Sequence, residues 1–243
     1  VLGSEATNTV IERLMDSVSV GRKKWIGSIK DMMASVVLIN SIGALCIGII
    51  TLAHYTMRMM GVGSLKSLDT AIFFSLNTLV GRAALMDILI IFFASTLAAI
   101  LLAVLIIVAG KSDFTFRQKI YHLAVAGISA LFARFGITVI IRFLHPRVRP
   151  FMVDHVYQLI AERGSSFPSG HASFFFAVSM AVYMWNKRLG YVFFGLSLLM
   201  GICRVIAGVH YPSDIFAGMV VGIASGLLVS YAATLFVNKK NKR

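Results

Sequence analysis

Cysteine is almost missing from this chain of 243 residues, which has only Cys46 and Cys203. Neither has a partner at metal-ligand spacing, and nothing in their positions supports a disulfide. Both fall inside apolar runs, where they read as small apolar filler. Low-complexity tracts and long Gly/Ser linkers are missing as well, so any boundary between parts must be read from composition. No signal peptide precedes the first polar stretch, and the opening residue is Val1, which suggests a natural start further upstream. Acidic residues are few, 10 against 23 Lys and Arg, which leaves a formal charge of +13. In a soluble chain that balance would point to nucleic acid. Here no soluble segment interleaves basic and aromatic residues, so nucleic acid is set aside as a partner.

Apolar sequence is what the chain has in excess. Hydrophobic residues make up 58% and the mean hydropathy is +0.85. A bilayer crossing takes roughly 20 apolar residues. Residues 33–53, 86–109, 123–143, 172–185, 191–207 and 215–237 read as membrane helices, the fourth and fifth extended by flanking residues. The expected fold is an all-α, polytopic transmembrane helix bundle with about six membrane helices plus an N-terminal amphipathic helix. Four basic clusters fall at alternate helix ends: Arg22 to Lys24; Lys111 with Arg117 and Lys119; Lys187 with Arg188; and Lys239 to Arg243. The positive-inside rule makes that side, and the C-terminus, cytoplasmic. Segments 55–85, 144–169 and 209–214 then lie outside. The arginines of 144–169 break the rule locally, which suggests that they are kept for chemistry.

Composition divides the chain in two. Residues 1–29 are polar and amphipathic, with Val10, Ile11, Leu14 and Met15 at helical spacing, and a membrane helix follows from about Asp31. After the glycine-containing segment 60–66, residues 68–85 read as an interfacial amphipathic helix with Ile72, Phe73, Leu76 and Leu79 on one face. The domains are set at 1–60 and 66–243.

Three clusters fall at the outer ends of the expected helices, far apart in sequence but able to meet. They are Arg142-Phe-Leu-His-Pro-Arg-Val-Arg149-Pro150; Pro168-Ser169-Gly170-His171; and Arg204, five residues, His210, three residues, Asp214. Phosphoryl transfer needs fixed donors on the phosphate oxygens. Arg142, Arg149 and Arg204 supply planar forks that stay charged. Ser169-Gly170-His171 opens a helix, whose free N–H groups suit an anion, with Gly170 allowing close approach and the Ser169 hydroxyl one more donor. His210 is placed to attack phosphorus, Asp214 to hold its tautomer from one helical turn away, and His171 to protonate the leaving oxygen.

These clusters resemble the three motifs of the type 2 phosphatidic-acid phosphatase family: Lys, six residues, Arg-Pro; Pro-Ser-Gly-His; and Ser-Arg, five residues, His, three residues, Asp. The resemblance covers residues 66–237. It implies a metal-independent helical-bundle phosphatase with His210 as nucleophile, His171 as general acid, Asp214 as orienter of His210, and Arg142, Arg149, Ser169, Gly170 and Arg204 as phosphate ligands. Arg142 replaces the family's Lys and Cys203 its Ser, which alters fine positioning. Within the family, Arg149-Pro-Phe-Met-Val-Asp-His-Val followed by Ser166-Phe-Pro-Ser is most similar to bacterial undecaprenyl-diphosphate phosphatases. Other residues have plainer readings. His54 and His122 are interfacial groups, and His145 and His155 flank the site. Arg147 and Arg163 snorkel to headgroups, and Glu162 and Asp154 are solvated loop charges. Phe174, Phe175 and Phe176 pack or face lipid.

In the N-terminal part, Glu5, Asn8, Glu12 and Asp16 share one helical face, and Lys30-Asp31 opens the next helix. Carboxylates so placed suit Mg²⁺ and a nucleotide; the alternative is a solvated face. Glu5-Ala-Thr-Asn8-Thr-Val-Ile-Glu12 and Lys30-Asp31 resemble the C-terminal part of bacterial diacylglycerol or undecaprenol kinases, over residues 1–55. The resemblance implies Glu5 as general base, Glu12 as a magnesium ligand, and Asn8, Lys30 and Asp31 along a nucleotide site. The kinase's first helices are not in this sequence, so Mg-ATP enters only with a complete kinase.

The expected function is hydrolysis of undecaprenyl diphosphate to undecaprenyl phosphate through a phosphohistidine, with no metal or cofactor. Its partners are a lipid phosphate and the bilayer, and the sequence sets no oligomeric state. The expected location is the bacterial inner membrane, with the phosphatase site extracytoplasmic. The enzymatic alternative is a phosphatase for phosphatidic acid or phosphatidylglycerophosphate. The alternative from another class is a non-catalytic anion-binding protein or transporter.

Overall fold

The fold comes from a computed structural model, which describes residues 65–152 and 156–240. The chain forms two compact units, Val1–Leu68 and Asp69–Arg243. The expected helix at 33–53 and the residues Glu5, Asn8, Glu12, Lys30 and Asp31 lie outside the described residues, as do Cys46, His54, Asp154 and His155. Among the described residues there is no strand. The elements are α1 (Leu65–Asn77), α2 (Ala84–Lys111), α3 (Phe116–Leu144), a short 3-10 turn (Pro150–Met152), α4 (Gly170–Trp185), α5 (Lys187–Ile206) and α6 (Pro212–Lys240). Four described segments are long and apolar enough to cross a membrane: α2, α3, α5 and Pro212–Val237 of α6. The described residues form an all-helical membrane bundle.

α4 is the central helix. Phe175, Phe176, Val178, Met180, Ala181 and Val182 are buried against neighbouring helices, and Phe175, Val178 and Val182 join Leu101, Leu105, Val125 and Phe193 in the largest core cluster. Phe174 is partly buried beside that cluster. α6 lies against α4 along Gly218, Gly222 and Gly226. A β-carbon on Gly222 would stand 2.5 Å from Ser173 O, and one on Gly218 2.6 Å from Ser169 O. One on Gly226 would stand 2.7 Å from Met180 Cβ. Lipid tails are as apolar as leucine, so close backbone packing through small residues is what joins such helices. Hydroxyls add cross-links: Thr138 Oγ1 donates to Ser173 Oγ at 2.9 Å, and Ser179 and Ser197 lie 3.0 Å apart.

Polar residues make the turns at one end. Thr115 and Gln118 form a capping box at the start of α3, the Thr115 N–H donating to Gln118 Oε1 at 2.9 Å. Asn186 ends α4 and caps α5, accepting from Leu189 N at 3.0 Å. Lys111 and Lys187 sit at these turns. Residues 145–152, 156–169 and 207–211 lie at the opposite end.

Two features depart from the sequence reading. The helix expected over 68–85 stops at Asn77, and its face is buried in the bundle rather than laid on the interface. Phe73 is fully buried with Ala172, Phe176, Val205 and Ile215, while Ile72 is exposed. Asn77, the last residue of α1, anchors this end to the bundle: Nδ2 donates to Tyr157 O at 2.8 Å and to Ile206 O at 2.9 Å, and Oδ1 accepts from Tyr157 N. Second, α2 and α3 each contain a π turn, Phe92–Thr96 and Phe132–Ile137. Such turns open the i→i−4 ladder and recur at functional sites.

Candidate active site

His210 owes its position to how α5 ends. Gly208 takes a positive φ of 83°, its N–H bonds Val205 O at 3.0 Å, and Ala207 N bonds Cys203 O at 2.9 Å. The left-handed residue reverses the chain at little steric cost, and His210 follows, 1% exposed. α6 begins two residues later and puts Asp214 one turn on. His210 Nδ1 lies 3.4 Å from Asp214 Oδ2 and 3.4 Å from Ser166 Oγ. Asp214 Oδ2 also accepts a short hydrogen bond from the Ser166 hydroxyl, and one from Tyr211 N at 2.8 Å. With Nδ1 turned to the carboxylate, Nε2 faces the other side, 3.4 Å from Arg149 Nη1. Burial is the main cause that pushes His210 down, to about 4; the Asp214 bond opposes it, and Arg204 and Arg149 add to it. At neutral pH the imidazole is therefore uncharged.

The second cluster joins here through the backbone. Ser169 N donates to Asp214 O at 2.9 Å, tying the start of α4 to the start of α6. The Ser169 hydroxyl accepts from Ala172 N at 3.4 Å, as N-cap. Gly170 and His171 occupy the first turn, with the His171 side chain about one-third exposed. A β-carbon on Gly170 would overlap the guanidinium of Arg134 and stand 2.9 Å from its Cδ.

The arginines divide their donors unequally. Arg149 is buried and bonds Gly164 O at 2.9 Å, Val209 O at 3.0 Å and Arg163 O at 3.0 Å. It ties the loop to the His210 turn. Arg142 forks onto Pro168 O, at 3.0 and 3.2 Å. Arg204 donates to Ala94 O at 3.0 Å, a carbonyl of the α2 π turn, and pairs closely with Glu162. Its Nε is buried with no hydrogen-bond partner. The structure thus brings together His171, His210, Asp214, Arg142, Arg149, Arg204, Ser169 and Gly170.

Two plain readings need correction. Glu162 is not a solvated charge. It pairs with Arg204, lies 3.5 Å from Arg149 Nη2 and 3.8 Å from His171 Nδ1. Burial alone would push its carboxyl up, but the charges of Arg204, His171 and Arg149 outweigh that and hold it below its ordinary value. Nor does Arg147 snorkel. It bonds Asp69 at 2.7 Å and Asp214 at 2.8 Å, and its guanidinium stacks 4.0 Å from the centre of the Tyr211 ring. Asp69 completes that clamp by accepting from Ser213 N and Ser213 Oγ.

Sequence reasoning missed Ser166, Asp69 and Arg134 as site neighbours. Arg134 carried a signal, a lone charge within an apolar run. Ser166 entered only within the stretch Ser166-Phe-Pro-Ser and Asp69 carried no signal, since their contacts arise from segments that meet only in the fold.

Residues 118–237 match the family model described as PAP2 superfamily, and residues 1–52 match prokaryotic diacylglycerol kinase. Bacitracin transport permease protein BcrC of Bacillus licheniformis is 37% identical over 92 residues, 37% of this chain and 45% of that protein. Undecaprenyl-diphosphatase BcrC of Bacillus subtilis is 33% identical over 113 residues, 46% of this chain and 56% of that protein. The chain thus spans about half the length of these two relatives. A crystal structure of Aquifex aeolicus LpxE superposes with a TM-score of 0.55 and 25% identity, covering 67% of this chain and 94% of that one. Residues 118–237, which include the His210 site, form a PAP2 superfamily domain, and residues 1–52 are similar to prokaryotic diacylglycerol kinase.

Proposed function

We propose that this chain is a membrane lipid phosphatase that hydrolyses undecaprenyl diphosphate to undecaprenyl phosphate and inorganic phosphate. The buried His210–Asp214 pair, set among Arg142, Arg149 and Arg204, is the observation that carries the reading. The His210 Nε2 lone pair attacks the terminal phosphorus. The bond from phosphorus to the bridging oxygen breaks, and His171, entering as the imidazolium, gives a ring proton to that oxygen, which leaves as the lipid monophosphate. Water then attacks the phosphohistidine, giving its proton to His171, and the P–N bond breaks to release inorganic phosphate. Asp214, steadied by Ser166 and Arg147, keeps the His210 proton on Nδ1. The free Nε donor of Arg204, the remaining Arg142 donors and the start of α4 receive the charge that builds on the phosphoryl oxygens. The cations this pocket itself supplies are the guanidinium groups of Arg142, Arg149 and Arg204.

The enzymatic alternative, a phosphatase for phosphatidic acid or phosphatidylglycerophosphate, uses the same charged site and differs only in the lipid groove. A transport reading is suggested by the name of one relative. Anion binding needs the arginines but gives no role to a buried histidine oriented by a carboxylate. The N-terminal segment is proposed to serve the same lipid pool, phosphorylating a lipid alcohol with Mg-ATP when the kinase is complete.

The test is phosphate release in detergent with excess chelator, from undecaprenyl diphosphate and from phosphatidic acid. Chelator-resistant release that is faster from the diphosphate supports the assignment. Faster release from phosphatidic acid moves it to the alternative lipid class, and release that requires added Mg²⁺ rejects the metal-free histidine mechanism.

A further inference from the structure

Every motif arginine described above has a carbonyl or a carboxylate to bind; Arg134 has neither. Among the described residues its guanidinium makes no hydrogen bond and no ion pair, and its contact with the Phe135 ring is a distant 5.9 Å. It is half-buried inside a membrane-spanning helix. A charge so placed is costly unless it faces a partner or a site. Arg134 faces the site. Its guanidinium fills the space a side chain at Gly170 would take, and its charge acts on Arg142, Arg149, His171 and Arg204.

The π turn explains how it gets there. In an unbroken α-helix, residues eight apart diverge by about 80° around the axis. The turn Phe132–Ile137 takes up an extra residue and rotates Arg134 back toward the side that carries Arg142. α3 thus turns two guanidinium groups toward one end of α4, the second held on Pro168 O.

We infer that Arg134 binds the non-transferred phosphate of a lipid diphosphate and so sets a preference for diphosphates over monophosphates. This rests on the phosphatase reading above. The side of the pocket follows from in-line displacement, in which the leaving oxygen stands opposite the nucleophile. His210 is the deep wall, with Arg149 at its Nε2. His171, more exposed, marks the leaving side, and Arg134 abuts the residue before it. A monophosphate ester places only one phosphate, between His210 and His171, and has nothing to offer Arg134. A diphosphate carries its second phosphate past His171, onto that free fork.

The experiment uses the full chain in detergent and two lipids that differ only by one phosphate, farnesyl diphosphate and farnesyl monophosphate. The readout is kcat/KM for phosphate release, with wild type, Arg134→Gln and Arg134→Lys. Arg134→Gln should lower the diphosphate-to-monophosphate ratio by about 10- to 100-fold, the usual weight of a charge-assisted bond pair. Arg134→Lys keeps the charge without the fork and should fall between. Lys also guards against a glutamine variant that fails to fold, since its ratio alone decides the matter. A ratio within twofold of wild type in the folded variants overturns the inference and leaves the phosphatase reading standing. A wild-type chain that releases phosphate from neither lipid overturns both.

Discussion

At the scale of single residues, the pocket keeps one histidine uncharged beside several cations. Burial holds His210 at about 4, so the lone pair that the proposed mechanism uses as nucleophile is lost only when the pH falls through that value. The acid limb of kcat/KM should therefore lie near 4, and a limb near the ordinary 6.5 would contradict a buried, neutral His210. The same shift bears on stability. The unfolded chain takes up this proton near 6.5 and the folded chain only near 4, so this contribution to stability grows as pH rises across that window and is level above it. Glu162 gives a second prediction. Its carboxylate holds Arg204 and Arg149, donors that the proposed mechanism directs toward phosphate. Glu162→Gln should tighten inhibition by orthophosphate about tenfold, because an anion no longer competes with a carboxylate; weaker inhibition would show that Glu162 supports the site instead. The convergence of His171, His210, Asp214 and the motif arginines was legible in sequence because their residue types and spacings are those that phosphoryl transfer would need. Glu162 and Arg147 were not, because their partners come from segments 42 and 67 residues away.

At the scale of elements, the site depends on α4 and α6 touching backbone to backbone. α4 brings Ser169 to His171, and α6 brings Asp214; the glycines between them set the distance. Gly222→Val places a β-carbon 2.5 Å from Ser173 O and 2.8 Å from Ala177 N. It should cost about 1–3 kcal/mol and remove most activity. Gly195→Ala, in α5 with open space around it, should leave melting temperature and activity within error or slightly higher. Equal melting temperatures for the two variants would argue against the seam. The apolar runs marked α2 to α6 well, since lipid requires both length and hydrophobicity. The end of α1 was misread, because Asn77 is fixed by carbonyls 80 and 129 residues away. The π turns were invisible for another reason: no residue type marks them, and they arise where the bundle calls for Ala94 O and Arg134.

At the scale of the whole molecule, the bundle has two unlike ends. One carries Lys111 and Lys187 at tight, capped turns, and the other carries the arginine and histidine site. The proposed orientation, with the basic end cytoplasmic, would open the site to the outside, where a spent carrier-lipid diphosphate would be met. Single cysteines at Arg163→Cys and Lys187→Cys test this in intact cells, in a background without Cys46 and Cys203. A membrane-impermeant thiol reagent should label the first and spare the second; the reverse pattern would place the site inside. The central claim is the covalent step, and rapid acid-free quenching of the chain with terminally ³²P-labelled undecaprenyl diphosphate tests it most directly. The account predicts an alkali-stable, acid-labile phosphoprotein in wild type that is missing from His210→Ala, together with phosphate release. A labelled protein that persists in His210→Ala, or turnover that survives the substitution, would contradict it.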